Sequence, residues 1–337
     1  MVYSNKALLD WEIQPAEYNL IVNWKISRSN NAKKKNYLVK INRKAFSEFA
    51  PNLYFSESDG KILADINKFK EISIKLQNQE DILNFCKKQR KQKIFSNCFI
   101  AGIEMACINY FGNFNHFIPE TVSSCRSSIS VPIMPIEEFL LYAEKVNIFE
   151  YDIIKIKSDS SLPKEIIDEI LKNSNCSIGV DYNEAIISVR DAIEHHDYLS
   201  NLKRVEYIEQ PFPASHVDHY REFKNFSDIP IILDENVCGD LITNDFTNFC
   251  DGINFKVMKS GGPLQTILQI KSARKQKLKC MLGCMVESSL SIASYVKMSG
   301  LVDYVDLDGS VLIENDSFNM IKVYKGEFFI KSCEGTK

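Results

Sequence analysis

The sequence lacks the features of membrane and disulfide-bonded secreted proteins. No apolar run approaches the roughly 18–20 residues that a membrane helix needs. We find no charged segment followed by an apolar one at the N-terminus, so no secretory signal is expected. The 10 cysteines are scattered without a CxxC pair, which favours reduced thiols over disulfides or a zinc site. These absences predict a cytoplasmic globular protein.

The chain also lacks an excess of charge of either sign. Its 41 Lys and Arg residues are balanced by 44 Asp and Glu residues, giving a formal net charge of -3. The basic stretches Lys33–Lys35 and Lys87–Lys93 are short and lie among polar residues, as on a solvated surface. Neither a nucleic acid nor a membrane surface is therefore expected as a partner.

The second half of the chain shows a repeated alternation of strand and helix patterns. The strand-like runs are Ile153–Ile156, Ser177–Val180, Val205–Ile208, Ile229–Leu233, Gly252–Phe255, Lys279–Leu282 and Tyr304–Val305. Such alternation is typical of a parallel sheet with crossover helices, and this many repeats favour closure into a TIM-like (β/α)₇₋₈ barrel, an α/β fold. We expect the barrel over 121–311. An α+β capping domain is expected over 1–120, rejoined by 312–337.

The N-terminal segment has the pattern of a hairpin followed by helices. Short runs of β-forming residues cover Tyr18–Ser27 and Asn36–Ile41. The polar stretch 28–35 between them predicts a long connecting loop. Helical spacing of apolar residues follows over Gln77–Arg90 and Phe99–Tyr110.

Charged residues follow nearly every strand of the predicted barrel. They are Lys157, Asp181, Glu209, Asp234, Lys256, Glu287 and the pair Asp306 and Asp308. Because the carboxyl ends of the strands form one rim of a barrel, these side chains are expected to converge. Solvent contact at strand ends would explain one or two of them. It does not explain three carboxylates after three successive strands with lysines on either side.

The three successive carboxylates indicate a metal site. Asp181, Glu209 and Asp234 would repel one another strongly near neutral pH without a cation among them. Oxygen ligands without Cys or His nearby suit a hard ion, so Mg²⁺ is the first choice and Mn²⁺ the second. The alternative is an unrelated trio of surface acids.

The lysines on either side suggest proton transfer. Lys155 and Lys157 are two residues apart on one strand and so face the same side, which is the barrel interior. Two adjacent, partly desolvated ammonium groups are expected to lower each other's pKa, making one a usable base. Lys256 lies beyond the carboxylate strands in ring order. Lys259 falls in a turn and is expected only to be solvated or to hold that turn.

Histidine is not expected to take part in this chemistry. His195 and His196 fall in a predicted helix, and His216 and His219 in a predicted loop after Pro213. None of the 5 histidines follows a strand, so all are interpreted as surface or core residues.

Taken together, these segments resemble the enolase superfamily, in its muconate-lactonizing-enzyme-like branch, and within it the dipeptide epimerases of the L-Ala-D/L-Glu epimerase type. The matching segments are Ile154–Lys157, Val180–Asn183, Tyr207–Pro211, Leu233–Glu235, Ile253–Gly262, Gly283–Glu287 and Val305–Gly309. All occur in order.

The resemblance implies a role for each residue. Lys157 and Lys256 would be the opposed acid and base, and Lys155 would orient the substrate carboxylate and tune Lys157. Asp181, Glu209 and Asp234 would hold Mg²⁺, which stabilises the enediolate formed when the α-proton leaves. Two further residues would support the metal ligands, namely Asn183 and Glu235.

The resemblance also suggests the substrate. Asp306 and Asp308 look like the pair with which dipeptide epimerases hold the substrate's α-ammonium group; the alternative is a pair that caps a turn before Gly309. Further substrate-binding candidates are Cys284, Glu287 and Ser130. The implied reaction is epimerisation of a dipeptide at the α-carbon of its C-terminal residue, and a homo-oligomer is the default expectation.

Two other functions stay open on the sequence. An o-succinylbenzoate synthase-like or muconate cycloisomerase-like enzyme would share the scaffold without needing Asp306 and Asp308. A catalytically silent, metal-bound scaffold is the second alternative, which the costly pair of buried lysines argues against.

Overall fold

The computed structural model describes residues 8–112, 114–118, 121–239, 242 and 246–331. The described residues form a three-stranded N-terminal sheet, an eight-stranded parallel sheet and a second three-stranded sheet. Their strands are β1 (Trp11–Ile26), β2 (Ser29–Ile41), β3 (Lys44–Phe49), β4 (Ser124–Arg126), β5 (Ile129–Val131), β6 (Ile153–Lys157), β7 (Ser177–Asp181), β8 (Val205–Glu209), β9 (Ile231–Leu233), β10 (Gly252–Lys256), β11 (Lys279–Gly283), β12 (Tyr304–Asp306), β13 (Ile321–Tyr324) and β14 (Glu327–Ile330).

Helices connect the strands, and among them α7 and α10 pack against strands of the parallel sheet. They are α1 (Asp59–Ser73), α2 (Gln79–Gln92), α3 (Asn97–Phe111), α4 (Phe114–Phe117), α5 (Ile136–Val146), α6 (Lys164–Asn173), α7 (Val189–Leu202), α8 (Val217–Phe226), α9 (Val257–Ser260), α10 (Pro263–Lys275) and α11 (Ser289–Val296). The helix α3 is buried along nearly its whole length and packs against β3 and α9. Because β3 belongs to the N-terminal sheet and α9 follows β10, this helix joins the N-terminal domain to the barrel.

The parallel sheet is a barrel whose strands are neighbours in chain order from β5 to β12. Beside the two edge strands, the backbone N–H of Ser128 donates to the carbonyl of Val305 at 2.9 Å, which brings the edges together. The predicted barrel with an N-terminal α+β domain is thereby confirmed. The domain limits 1–120, 121–311 and 312–337 stay a prediction, and some of their residues lie outside the described ranges.

The predicted long loop over 28–35 is wrong. Strands β1 and β2 pair almost to the tip of their hairpin, with Glu17 opposite Lys35 and Ile26 opposite Ser29. The segment is polar because one face of the hairpin meets solvent and the other meets a water-accessible cavity, so it has no apolar alternation to reveal a strand. Only two residues form the turn, and the second of them is Arg28.

Three smaller expectations have mixed outcomes. The nine cysteines within the described residues form no disulfide with one another, and Cys333 lies outside those residues. His219 was expected in a loop but lies in the first turn of α8. Within the described ranges, no helix has both the length and the apolar character required to cross a membrane.

The barrel interior below the active site has its own small core. Tyr207, Ile232 and Met281 pack together there, apart from the main core of the molecule. Gly179 is paired with Tyr207 across β7 and β8. A Cβ atom on Gly179 would meet the Tyr207 ring at 2.3 Å, so this glycine makes room for the tyrosine.

Gly179→Ala should lower the free energy of unfolding by about 1–3 kcal/mol, since a methyl group forced into a packed interior displaces its neighbours. Urea denaturation measures the change. The matched control is Gly60→Ala in the first turn of α1, where an added Cβ meets nothing within 4 Å and helix propensity favours alanine. Equal stability of the two variants would contradict the packing role of Gly179.

Candidate active site at the barrel rim

A cavity of about 860 Å³ opens at the C-terminal ends of the barrel strands. The barrel rim and the N-terminal hairpin β1–β2 both contribute to its walls. The sequence-predicted residues that line it are Ser130, Lys155, Lys157, Asn183, Asp234, Glu235, Lys256, Cys284, Asp306 and Asp308. Asp181 and Glu209 are fully buried and contact the lining lysines.

The three predicted carboxylates lie at the ends of neighbouring strands. Asp181 and Glu209 are paired in register at the ends of β7 and β8, and Asp234 follows β9 directly. Burial, reinforced by the nearby Asp181 carboxylate, raises the pKa of Glu209 to about 7. The Oε2 atom of Glu209 is buried and accepts no hydrogen bond from the described residues. Glu209 Oε2 therefore has a positive neighbour, Lys155 Nζ at 3.5 Å, but no hydrogen-bond donor among the described residues.

The lysines of β6 lie beside these carboxylates. The Nζ atom of Lys157 is 2.5 Å from Oδ2 of Asp181. Lys155 donates to the Asp306 carboxylate, and its Nζ also lies 3.5 Å from Glu209 Oε2 and 3.9 Å from Asp181 Oδ2. Lys155 thus connects the three-carboxylate group to the last strand of the barrel.

The expectation that the neighbouring ammonium groups lower each other's pKa is wrong for Lys155. Burial by itself would lower the pKa of Lys155, but the carboxylates of Asp306 and Glu209 outweigh it and raise the pKa well above its ordinary value. Lys155 is therefore a fixed cation in this arrangement, suited to binding an anion rather than accepting a proton.

Two lysines meet at Asp234 on the opposite side. Lys256, at the end of β10, places Nζ 2.7 Å from Oδ2 of Asp234. Lys259, expected to be solvated or to hold its turn, is buried and places Nζ 2.5 Å from Oδ1. Burial opposes ionisation of Asp234, but the two lysines outweigh it and lower the pKa of this carboxyl group. Lys259 follows Lys256 by less than one helical turn, which brings both to one carboxylate.

Two asparagines position the carboxylates. The backbone N–H of Asn183 donates to Asp181 Oδ1 at 2.9 Å, and its side-chain amide lies 3.4 Å from Glu235 Oε1. Asn254 Nδ2 donates to Glu209 Oε1 at 2.7 Å. Asn254 was missed by the sequence reasoning, although it precedes Lys256 by two residues on β10 and so faces the same side.

The pair Asp306 and Asp308 faces the first barrel strand. Asp306 Oδ1 accepts a hydrogen bond from the Ser128 hydroxyl at 2.7 Å. Asp308 Oδ2 accepts one from the backbone N–H of Ser130, also at 2.7 Å. Burial and the adjacent Asp306 raise the pKa of Asp308 to about 6. Asp306 reaches Ser128 just before β5, Asp308 reaches Ser130 on β5, and both side chains line the cavity, which disfavours a simple cap on the turn at Gly309.

Glu287 lies below the cavity wall. Its carboxylate accepts hydrogen bonds from the Met285 backbone at 3.0 Å and the Tyr295 hydroxyl at 2.6 Å. Burial raises the pKa of Glu287 to about 8. Cys284 lines the cavity. Glu287 is not among the lining residues and instead holds the loop after β11 through its hydrogen bond with Met285.

The tip of the hairpin reaches the site through Arg28, which sequence reasoning did not identify. The guanidinium donates to the Glu235 carboxylate and, at 2.9 Å, to the backbone carbonyl of Asn183. It also lies 4.4 Å from the centre of the Tyr54 ring. A lone arginine in a polar stretch gives no sequence signal, because its hydrogen-bond partners Asn183 and Glu235 follow in the chain only after more than 150 residues.

The fold and the site together define a (β/α)-barrel enzyme with lysines and carboxylates around a rim cavity. The model of the family described as "Enolase C-terminal domain-like" matches residues 142–320. The chain belongs to this family.

Three relatives show how similar the chain is to known proteins. It is 25% identical to the L-Ala-D/L-amino acid epimerase of Flavobacterium johnsoniae, over 95% of this chain and 97% of that protein. It is 31% identical to the L-Ala-D/L-Glu epimerase of Bacteroides thetaiotaomicron, over 55% of this chain and 48% of that protein. The crystal structure of a dipeptide epimerase from Methylococcus capsulatus, complexed with Mg and L-Arg-D-Lys, has a TM-score of 0.78 at 19% identity, with 96% of each chain covered.

Proposed function

We propose that this protein is a Mg²⁺-dependent dipeptide epimerase that removes and returns the α-proton of the C-terminal residue. One observation carries the proposal: Lys157 and Lys256 line one cavity from opposite sides of the three carboxylate strands. The full-length similarity to a named epimerase supports the same reaction.

The two lysines would act on opposite faces of the α-carbon. Lys157 ends β6 and Lys256 ends β10, with β7, β8 and β9 between them. A substrate carboxylate held near those three strands would therefore have one ammonium or amine group on each side. Removal of the proton by one lysine and delivery of a proton by the other inverts the configuration.

The three carboxylates at the ends of β7, β8 and β9 have the donor atoms that a hard divalent cation requires. Asp181, Glu209 and Asp234 supply only oxygen donors, and Glu209 Oε2 is buried without a hydrogen-bond partner among the described residues. Lysines contact these carboxylates. Within the described ranges, the three side chains do not yet converge into a set of metal ligands. When bound, Mg²⁺ would neutralise charge that develops on the substrate carboxylate as the α-proton leaves. Support for the ion comes from the Mg-bound structure of the Methylococcus capsulatus enzyme.

Asp306 and Asp308 would bind the other end of the substrate. Asp306 forms an ion pair with Lys155, whereas Asp308 accepts a hydrogen bond from a backbone N–H. Asp308 would therefore be the carboxylate that pairs with a substrate ammonium group. A cavity with cations at one end and this carboxylate at the other matches a zwitterion. Ser130 would contribute through its backbone N–H, which holds Asp308 in place.

The proposal is tested by incubating the protein with Mg²⁺ and a dipeptide library in D₂O and reading the mass of each peptide. We expect a gain of one deuteron on some peptides, abolished by EDTA. No gain on any peptide would overturn the epimerase proposal.

Asp308→Asn separates an epimerase from a cycloisomerase-like enzyme. Loss of the charge should weaken dipeptide turnover by about tenfold to a hundredfold at subsaturating substrate, the usual cost of a charged hydrogen bond. N-acetylated dipeptides lack the ammonium group and serve as the matched substrate control, because any residual turnover of them should be unchanged. Equal turnover of dipeptides by the variant and the parent would favour the cycloisomerase alternative.

A further inference from the structure

The carboxylate of Glu104 belongs to the N-terminal domain but meets the backbone that follows the barrel strand β10. Glu104 lies on α3 and is fully buried. Its Oε1 atom accepts a hydrogen bond from Nη1 of Arg90 on α2 at 2.7 Å, and its Oε2 atom accepts one from the backbone N–H of Leu264 on α10 at 2.9 Å. A buried ion pair often contributes no more stability than apolar side chains of the same volume. What distinguishes this pair is its hydrogen bonds to the barrel backbone.

Glu104 caps the N-terminus of α10 in place of a residue of that helix. The N-cap residue of α10 is Gly262, which has no side chain to accept hydrogen bonds from the first N–H groups. A carboxylate is favoured at this end of a helix because the helix dipole is positive there. Gly262 has a φ of +126°, and a Cβ atom at this position would overlap the Glu104 carboxylate. Glycine therefore permits the close approach of Glu104 to the start of the helix.

Two side chains of the N-terminal domain also hold α9, the turn between β10 and α10. Arg90 Nη1 donates to the Gly261 carbonyl at 2.8 Å, and Asn97 Nδ2 donates to the Lys259 carbonyl at 3.0 Å. The side chain of Lys259 in turn places Nζ 2.5 Å from Oδ1 of Asp234. The turn is thus fixed on one side by the N-terminal domain and on the other by a carboxylate of the rim.

Hydrogen bonds within α9 connect these contacts to Lys256. The N–H groups of Gly261 and Gly262 donate to the Val257 carbonyl at 3.1 Å and 3.0 Å, respectively. Val257 directly follows Lys256, which is the last residue of β10. A shift of either glycine would therefore be passed to the backbone of Lys256 and displace its ammonium group.

Lys157 lies on the other side of the three carboxylate strands, at the end of β6. The hydrogen bonds of Arg90 and Glu104 to the barrel lead instead to the backbone after β10. Loss of these hydrogen bonds should therefore disturb Lys256 and leave Lys157 in place. The two faces of the substrate α-carbon would then be affected unequally.

We propose that Glu104 is a positioning residue that, together with Arg90, holds the turn after β10 so that Lys256 reaches one face of the α-carbon. This inference rests on the proposed function, since Lys256 is taken to be one of the two proton-transfer residues. A displacement of about 1 Å far from the reacting atoms can lower the rate by about a hundredfold. Loss of the Glu104 carboxylate would therefore slow the proton transfer performed by Lys256.

The test measures α-proton exchange in D₂O for each pure epimer of a dipeptide selected with the library experiment, at saturating Mg²⁺. The double variant Arg90→Met/Glu104→Met removes both charges together, so that no buried charge is left unpaired. We expect its kcat for exchange to fall by about tenfold to a hundredfold on one epimer and to change little on the other. The affected epimer should be the one whose exchange is lost in Lys256→Met.

Two further variants separate positioning from general destabilisation. Lys91→Met changes the next residue of α2, which is exposed, and should leave exchange of both epimers unchanged. Arg90→Met alone keeps Glu104 beside Leu264. Because burial raises the pKa of Glu104, this carboxyl group can become neutral without its partner. The single variant should show a smaller effect on the same epimer, and it replaces the double variant if that protein does not fold.

Equal loss of exchange on both epimers, or full exchange of both, would overturn the positioning role of Glu104 and leave the proposed function intact. Exchange of no dipeptide by the parent protein would instead overturn the proposed function itself.

Discussion

Replacing either Lys157 or Lys256 by methionine should reduce interconversion of the two epimers by about a thousandfold or more, at the upper part of the range for loss of a general acid or base. Each variant should still exchange the α-proton of one epimer with solvent, because the remaining lysine reaches one face of the α-carbon. The two variants should retain proton exchange on opposite epimers of the substrate. Chiral chromatography measures interconversion, and NMR in D₂O measures exchange for each epimer separately.

Lys172→Met is the matched control, since this exposed lysine lies in the last turn of α6 and away from the rim. Magnesium affinity must also be measured, because Lys256 contacts Asp234. If excess Mg²⁺ restores a Lys256→Met variant, that lysine acts through the metal site. Continued interconversion of both epimers by Lys256→Met at ordinary Mg²⁺ would refute the two-base mechanism.

Glu209→Gln should abolish magnesium-dependent activity, with a loss of turnover of about three orders of magnitude, because an ion that polarises the substrate supplies several kcal/mol. Glu209 lies on the middle strand of the three carboxylate strands, and a neutral amide preserves its shape while removing its charge. Titration calorimetry with Mg²⁺ should show binding in the parent and little in the variant.

A second readout does not depend on activity. A ligand that binds only the folded state raises the melting temperature, so Mg²⁺ should stabilise the parent but not Glu209→Gln. In the metal-free state the substitution should change the melting temperature little, because burial already raises the pKa of Glu209 to about 7. Glu206→Gln, on the same strand but away from the rim, is the control. An undiminished Mg²⁺ response in Glu209→Gln would rule out this residue as a ligand.

The barrel could be predicted from sequence because most of its strands have a recognisable local sequence pattern. Most are short runs rich in β-branched residues and followed by a charged residue, as in Ile153–Lys157, and successive runs recur with helices between them. The rim residues follow from the same regularity, since parallel strands end on one side. Strand β5 (Ile129–Val131) was not predicted, because its two β-branched residues lie among serines and a proline.

The N-terminal contribution could not be predicted, because it depends on distant partners. The polar residues of β2 suggest a loop until the cavity beneath them is known. Arg28 and Lys259 become informative only through contacts with Glu235 and Asp234, respectively. Lys155, Lys157 and Lys256 line one cavity, but the pKa of Lys155 depends on Asp306, which follows it by 151 residues in the chain.

The hairpin β1–β2 has a consequence for how this scaffold can diversify. The residues proposed for proton transfer lie on barrel strands, whereas Arg28 comes from a separate sheet that pairs with itself and not with the barrel sheet. Changes in the hairpin can thus alter the roof of the cavity without displacing the strands that hold the acids and lysines. The hairpin and the barrel strands are encoded in separate segments of the chain, so substitutions in the roof of the cavity can accumulate while the residues at the strand ends stay unchanged.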